Sequence, residues 1–280
     1  TYANANPELM TLANPLAQTD MTTLRPSLLP GVLNALAKNF AASDATPRLG
    51  EVGKVFKPTP QGSGEQLMAA GVLCATGARH WQGALPTPDV FSAKAAVLQV
   101  LSALGVPVAS GVWQAKAPAH YHPGRSGTFG IGPFVLAHVG ELHPTQRAAL
   151  DIPAVAGPLA VFEIYLEPLL KLTSKARPWV AHSFPPVKRD LSVLVPTTMP
   201  AAQVLGAVQQ ATRTLPPTLN VHAEVFDAYQ GKGVSAGQVA LGIALTLQNT
   251  EKTLAEADVQ NVLGPIVASL TALGGVLREA

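Results

Sequence analysis

The chain lacks the residues that would mark a disulfide-bonded, secreted or membrane-spanning protein. Among its 280 residues there is one cysteine, Cys74, which excludes a disulfide framework and a zinc site built on cysteines. No apolar run reaches the roughly 18 residues that a membrane-spanning helix needs, and no basic and then apolar signal segment opens the chain. These absences predict a protein of the reducing cytoplasm. Because the chain begins with Thr1 rather than Met, we also expect a piece of a longer protein.

Charge is scarce as well. Charged residues make up 13% of the chain and nearly cancel, which leaves a formal net charge of +2. Residues 183–280 carry six basic and seven acidic side chains. A strong nucleic-acid binder usually has a broad positive field. Any RNA contact in the C-terminal part must therefore be local.

The chain is rich in apolar residues, at 48%, and in proline and glycine, with 25 and 24. This composition predicts real cores built from many short elements, and the length favours two domains. Before residue 172, apolar spacing predicts helices at 29–40 and 91–104. Strands are expected at 49–56, 68–75, 134–139 and 159–166, and a loop at 120–127. Strands interleaved with helices indicate an α/β or α+β domain.

A linker is expected at 173–182, where Pro178 interrupts a stretch without periodicity. Beyond it, the elements follow the order strand, helix, strand, strand, helix, strand, which is the ferredoxin-like pattern. Thr253 and Glu256 have capping-box spacing for the last helix. Pro265 falls inside that helix and is expected to kink or restart it.

The stretch 225–233 is the most informative part of this second domain. Side chains alternate along a strand, so Asp227 and Tyr229 should point the same way. Gly231 and Gly233 flank Lys232 and are expected to supply the positive φ of a tight reversal. An acid, an aromatic ring and a base displayed together suit a flat polar partner better than they suit catalysis.

Several residues allow catalytic or metal-binding interpretations. A metal site could use the histidines at 120, 122, 138 and 143, but no acidic or cysteine ligand falls at a recurring metal spacing. Ser126 and His122 invite a hydrolase hypothesis, although no Gly-x-Ser-x-Gly elbow surrounds the serine. Neither glycine turn, at 130–132 or 231–233, is followed by the Lys-Ser/Thr of a phosphate loop.

Other polar residues have two open interpretations each. Arg125 could bind a carboxylate or phosphate, or it could cap an inter-strand loop. The run Lys188-Arg189-Asp190 could form a solvated ion cluster or contact RNA phosphates. Tyr229 could pack on a neighbouring strand or offer an exposed face to a base.

Short motifs in a fixed order carry a family signature over nearly the whole chain. They are Asn14-Pro15-Leu16, Leu24-Arg25-Pro26-Ser27-Leu28-Leu29-Pro30-Gly31, Glu51-Val52-Gly53-Lys54-Val55-Phe56, His122-Pro123-Gly124-Arg125-Ser126, Gly140-Glu141-Leu142-His143-Pro144, Phe162-Glu163-Ile164, Phe184-Pro185-Pro186-Val187-Lys188-Arg189-Asp190-Leu191, Phe226-Asp227-Ala228-Tyr229-Gln230-Gly231, Thr253-Leu254 and Leu277-Arg278. The set resembles the C-terminal part of the bacterial phenylalanyl-tRNA synthetase β subunit.

The resemblance implies an α+β chain in which residues 1–172 form a mixed α/β module like a class II synthetase. Residues 183–280 would then form a ferredoxin-like βαββαβ anticodon-binding domain. The family is an (αβ)₂ heterotetramer whose α subunit holds phenylalanine, ATP and magnesium, so this chain is expected to bind no cofactor itself. It has neither an Arg-x-Glu pair nor a Gly-x-Gly-x-x-Arg motif, which predicts a module that packs on the α subunit without catalysis.

The same resemblance implies which residues contact tRNA(Phe). Asp227, Tyr229 and Arg278 would read an anticodon base by stacking and by base-edge hydrogen bonds. Lys188, Arg189 and Lys232 are added as phosphate contacts, while Arg25, His122, Arg125 and Glu141 are assigned to a subunit interface or to structure.

One departure from the family weakens this anticodon assignment. Where the family shows Lys-Ser-Leu-Ala after the hairpin, this chain has Val239-Ala240-Leu241-Gly242, so a lysine and a hydroxyl are lost. The alternative is a purely structural heterodimerisation module without RNA contact.

Overall fold

The computed structural model describes residues 9–15, 22–42, 48–59, 62–75, 81, 83, 86–150, 152, 156–172 and 183–278. The linker predicted at 173–182 lies outside the described residues. The chain divides into two compact units, residues 1–176 and 177–280. None of the described helices is both long and apolar enough to cross a bilayer.

The first unit is built on a six-stranded antiparallel sheet with the order β1-β2-β6-β5-β4-β3. Its strands are β1 (Leu49–Thr59), β2 (Gly62–Leu73), β3 (Val112–Gln114), β4 (Tyr121–Ile131), β5 (Phe134–Leu142) and β6 (Ala160–Tyr165). Its helices are α1 (Leu29–Ala42), α2 (Val90–Ala103) and α3 (Pro144–Ala148), with 3₁₀ turns at Val108–Ser110 and Glu167–Lys171.

The two longer helices of this unit belong to separate cores. The stripe Leu29, Val32, Leu33 and Leu36 of α1 is buried in one core, as its spacing predicts. Helix α2 buries a stripe centred on Val97 in the other core. Alternate strand residues enter the two cores, so α1 and α2 cover opposite faces of the sheet.

The prediction of a loop at 120–127 is wrong, because most of these residues belong to β4. Tyr121 pairs with Leu142 and Ser126 pairs with Gly140, so four residues of β4 lie opposite Glu141 alone. The irregular segment contains Pro123 and Gly124, which explains why its composition is typical of a loop. Strand β3 was not predicted, since three residues are too few for a periodic signal.

The second unit contains β7 (Val187–Pro196), α4 (Ala201–Thr212), β8 (Leu219–Tyr229), β9 (Gln238–Asn249), α5 (Glu256–Ala272) and β10 (Val276–Arg278). The sheet is antiparallel with the order β10-β7-β9-β8, and the predicted ferredoxin-like pattern is confirmed. Helices α4 and α5 pack on one face, where Val193 and Ile243 of the strands meet Val208 and Ile266 of the helices. Within residues 183–278, no helix covers the other face.

The start of α5 differs from the prediction, and the helix does not restart at Pro265. The helix begins at Glu256, so Thr253 does not cap it, and the Asp258 carboxylate instead accepts a hydrogen bond from the Ala255 N–H at 3.0 Å. Pro265 lies within an uninterrupted helix. Its side chain is exposed, so the carbonyl left without its usual N–H partner lies on the solvent side of the helix.

The central position of Ile243 gives a stability prediction. Its side chain is fully buried between the sheet and both helices, so Ile243→Ala should lower the free energy of unfolding of the second unit by about 2–5 kcal/mol, and Ile243→Val by about 0.5–1.5 kcal/mol. Hydrogen exchange of the β9 amides measures both changes. The control is Val276→Ala, at an exposed strand residue, which should change the free energy of unfolding by less than about 0.5 kcal/mol. A loss below about 1 kcal/mol for Ile243→Ala would contradict the core position.

Candidate nucleic-acid interface

A β-bulge near the end of β8 decides what the open face of the second sheet presents. Val225 pairs with Ile243 and Asp227 pairs with Gly242, so Phe226 is an extra residue without a partner on β9. Before the bulge, Ala223 and Val225 pack against the helix-covered core. Strict alternation would send Asp227 and Tyr229 into the same core. The bulge shifts the alternation by one residue and turns both side chains to the open face.

Three of the predicted site residues meet on this open face around a concavity of about 370 Å³. One row of residues crosses all four strands, because Arg278 pairs with Ser192, Ser192 with Gly242, and Gly242 with Asp227. Strands lie about 4.8 Å apart, so the two charged ends of the row are about 14 Å apart at the backbone. We define the open-face concavity by its lining residues, which are Asp190, Leu191, Ser192, Phe226, Asp227, Tyr229, Ala240, Gly242, Leu277 and Arg278.

Two glycines let aromatic rings lie close to the backbone. A Cβ on Gly242 would lie 2.9 Å from Cζ of Phe226, so the Phe226 ring lies across Gly242 and stays 59% exposed. A Cβ on Gly231 would lie 2.5 Å from Oη of Tyr229, whose ring is 43% exposed. The concavity therefore has two exposed aromatic faces.

The turn between β8 and β9 corrects the predicted role of Gly231. The positive φ values belong to Gly233, at 87°, and Gly237, at 81°. Gly231 instead leaves room for Tyr229, whose hydroxyl donates to the Lys232 carbonyl at 3.4 Å. The turn spans residues 230–237, so it is also longer than the tight reversal that was predicted.

The charged groups of the concavity differ in how they are held. Oδ1 of Asp227 accepts a hydrogen bond from the Ala228 N–H at 2.9 Å, which fixes the carboxylate at the rim. The Arg278 guanidinium approaches the turn, since a Cβ on Gly233 would lie 3.6 Å from its Nη2. This arrangement can stack a flat group and accept hydrogen bonds from its edge.

The three remaining basic residues fall in different places. Lys232 is exposed in the turn beside Tyr229. Lys188 is on the open face, opposite Thr246, but does not line the concavity. Arg189 points to the helix-covered side, where its Nη2 lies 2.5 Å from Oε2 of Glu256. The structure therefore does not bring Arg189 to the surface shared by the others.

Sequence reasoning missed Phe226, because it treated β8 as a regular strand. A signal was present: Gly242 lies inside the apolar run of β9, and an isolated glycine in a strand often marks a bulge or a close approach.

The structure also shows which of positions 239 and 240 belongs to the open face. Ala240 lies opposite Tyr229 on the open face, whereas Val239 packs against the core. Of the two positions at which the resemblance implies a departure, only Ala240 lines the concavity.

The four residues assigned to an interface or to structure have local partners in the first unit. Arg25 donates from Nε to the Lys54 carbonyl at 2.9 Å, and its Nη1 lies 2.5 Å from Oε1 of Glu51. The guanidinium occupies the space above Gly53, where a Cβ would collide with it. These contacts hold the segment before α1 against β1.

Arg125 and Glu141 form an ion pair within the irregular part of β4 and β5. Nε of Arg125 lies 2.7 Å from Oε2 of Glu141, whose side chain is largely buried. Nδ1 of His122 accepts a hydrogen bond from the Gly124 N–H at 3.1 Å. No hydrogen bond joins Ser126 to His122 in this described strand, and no cluster of three metal-ligating side chains occurs among the described residues.

Comparisons with known proteins agree with the two-unit architecture. The family model described as "Phenylalanyl tRNA synthetase beta chain CLM domain" matches residues 2–166. This chain belongs to the phenylalanyl-tRNA synthetase beta chain family. A second model, "Ferredoxin-fold anticodon binding domain", matches residues 183–278.

Curated relatives named phenylalanine–tRNA ligase beta subunit cover nearly the whole chain. The protein of Bradyrhizobium diazoefficiens is 39% identical over 95% of this chain, and that of Rhodospirillum rubrum is 39% identical over 97%. The Rhodopseudomonas palustris protein is 38% identical over 99%. The aligned part is 33%, 34% and 35% of these relatives, so the chain spans about a third of their length.

The packing of Tyr229 over Gly231 can be tested directly. We expect Gly231→Ala to leave the second unit folded but to displace the Tyr229 ring and break its hydrogen bond to Lys232, because the added Cβ would lie 2.5 Å from Oη. The chain has four tyrosines, so the aromatic NMR signals of Tyr229 can be followed. Gly264→Ala, whose Cβ meets nothing within 4 Å, is the matched control. Unchanged Tyr229 signals in Gly231→Ala would contradict the packing.

Proposed function

We propose that this chain is a non-catalytic part of a phenylalanine–tRNA ligase β subunit and binds the anticodon of tRNA(Phe) through the open face of its second unit. The observation that carries the proposal is the concavity in which Tyr229, Asp227 and Arg278 converge. In the complete enzyme the chain supports ATP-dependent attachment of phenylalanine to tRNA by packing on a catalytic α subunit, in an (αβ)₂ assembly.

The chemistry of the concavity suits an unpaired base. Its volume of about 370 Å³ falls within the range of about 300–1,000 Å³ that is typical of small-molecule sites. A base can stack on the exposed ring of Tyr229 or Phe226 and on the guanidinium plane of Arg278. The Asp227 carboxylate accepts a hydrogen bond from an amino or imino group at the base edge. Ser192 and Gly242 keep the floor low enough for the base to enter.

The charge of the second unit limits how RNA can bind. Residues 183–280 have one more acid than base, and Asp190 and Asp227 both line the concavity. Arg278 and Lys232 provide positive charge at one side, and Lys188 does so farther along the face. Affinity must therefore come from stacking and base contacts more than from phosphate neutralisation.

Loss of the stacking groups gives the first functional prediction. Tyr229→Ala and Arg278→Ala should each weaken binding to an anticodon stem-loop of tRNA(Phe) by about 1–3 kcal/mol, and Phe226→Ala should also weaken it. Fluorescence anisotropy with a labelled stem-loop measures the change. Arg213→Ala, at an exposed arginine that ends α4, is the matched control and should bind as the wild type does. Equal affinity in all variants would rule out the assigned surface.

A second function has a specific observation in its favour. Ala240, opposite Tyr229, lacks the hydroxyl that the family resemblance implies there, and the concavity is lined by two acids, Asp190 and Asp227, and one base, Arg278. Both features are compatible with a heterodimerisation module that does not touch RNA.

Assembly with an α subunit separates the two functions. Co-expressed with a tagged α subunit of a bacterial phenylalanine–tRNA ligase, the chain should co-purify under both hypotheses. RNA binding that is lost when the anticodon is altered supports the anticodon function, whereas co-purification without RNA binding at low salt supports the structural one. The chain alone should show no phenylalanine-dependent ATP–pyrophosphate exchange, and exchange by the chain alone would overturn the non-catalytic assignment.

A further inference from the structure

The first unit contains a cavity of about 310 Å³ that the proposed function does not use. It lies on the α1-covered face of the six-stranded sheet, where helix packing leaves part of the sheet open. Its polar lining includes Ser27, His120 and Glu163, together with Lys57 and Tyr165. Met68 and two prolines add apolar surface, which is the usual make-up of a small-molecule site.

Glu163 is a buried residue of the cavity lining, with 3% of its surface exposed. Oγ of Ser27 donates to Oε1 at 2.5 Å, and Oη of Tyr121 donates to Oε2 at 3.1 Å. Nε2 of His120 lies 3.2 Å from Oε2. Burial raises the pKa of Glu163, but the hydrogen bond and charge of His120, with the hydrogen bonds from Ser27 and Tyr121, outweigh it and hold the pKa below its ordinary value. The cavity lining therefore contains an anion.

This anion has capacity for one more donor. A carboxylate offers about four acceptor positions, and the described residues occupy three of those of Glu163. An ionised group with this little solvent contact is costly unless it is fully paired. Such a group in the wall of a cavity is more typical of a binding site than of a core.

The cavity lining also contains a positive group, Lys57. Nζ of Lys57 lies 5.6 Å from the ring centroid of Tyr165, so the ammonium group is held over the ring by a cation–π contact. Burial and the nearby Glu163 carboxylate raise the pKa of Tyr165 to about 12, so its hydroxyl stays neutral. The cavity thus has a buried carboxylate, with His120 beside it, and an exposed ammonium group, with apolar surface between other polar groups.

We propose that this cavity binds a small zwitterion, with its ammonium group against Glu163 and its carboxylate against Lys57. An amine without a carboxylate would pair with the Glu163 carboxylate but add a second cation near Lys57. A carboxylate without an ammonium group would pair with Lys57 but lie near the buried Glu163 carboxylate. A molecule that carries both charges, at separate ends, complements both the Glu163 carboxylate and the Lys57 ammonium group. The site is independent of RNA binding by the second unit.

Binding of defined probes to the 280-residue chain tests the site. Saturation-transfer NMR and calorimetry are applied to three zwitterions, L-leucine, glycine and 4-aminobutyrate, which differ in apolar size and in charge spacing. For the best of them, the analogue without the carboxylate and the analogue without the ammonium group are measured in parallel. We expect each analogue to bind at least about tenfold more weakly, as the loss of one charged hydrogen bond predicts. No binding of any of the three zwitterions, or equal binding of the analogues, overturns the proposal.

Two variants connect the binding to its residues. Glu163→Gln keeps the shape of the side chain but removes its charge, so binding of the zwitterion should fall at least about tenfold. Because Glu163 is buried, the fold of this variant is checked by circular dichroism, and Lys57→Met provides the decisive measurement if the fold is lost. Lys57→Met should weaken binding of the zwitterion but leave binding of its carboxylate-free analogue unchanged.

The matched control for Lys57 is Lys54→Met on the same strand. Lys54 points to the other side of β1, where its Nζ lies 2.5 Å from Oε2 of Glu65, and it does not line the cavity. The control should bind all probes as the wild type does. Zwitterion affinity that is unchanged in Lys57→Met, or lowered equally in Lys54→Met, overturns the assigned geometry.

Discussion

One extra residue in β8 determines which chemistry the second unit presents. The odd-numbered residues of β8 that precede Phe226 supply the core with apolar side chains. If the alternation continued, Asp227 and Tyr229 would enter that core, where the carboxylate would lack solvent. The bulge at Phe226 prevents this and adds an exposed aromatic ring to the same face. The fold and the candidate site therefore depend on the same backbone irregularity.

The floor of the concavity follows from this constraint. Ser192, Ala240, Gly242 and Ala244 are neighbouring open-face residues of the two central strands, and all four are small. The larger side chains of Phe226, Tyr229 and Arg278 stand beside them, on β8 and at the end of β10. Small residues between larger ones leave the concavity open at this place. Gly242 is essential here because the Phe226 ring occupies the space that a Cβ would need.

Much of this could be predicted from the sequence, and the failures have physical causes. Helix α1, the strands β1, β2, β5 and β6 and the order of the second unit follow from apolar patterning, because burial of one face imposes a period of 3.6 or 2. The bulge could not be found this way, since a single inserted residue leaves both flanking alternations intact. The segment 120–127 was mistaken for a loop because Pro123 and Gly124 carry that composition, although pairing of the flanking residues keeps it in β4. The partner of Arg189 depends on a contact between residues 67 positions apart, and no local pattern encodes it.

The distribution of charges in the two units supports different roles for similar side chains. Arg25, Arg125 and Arg189 each pair with a carboxylate of the same unit, so their charges are largely used within the fold. Arg278 instead lies on a face that no helix of residues 183–278 covers, and its Nη2 would lie 3.6 Å from a Cβ placed on Gly233 of the turn. A guanidinium in that place retains its planar surface for a partner, which a paired one does not.

The same reasoning applies to the carboxylates. Glu141 pairs with Arg125, whereas Asp227 accepts a hydrogen bond from the neighbouring backbone N–H of Ala228 and Glu163 lines a cavity. What distinguishes a functional charge from a structural one in this chain is therefore the environment on its open side, and neither residue type nor sequence position specifies that environment.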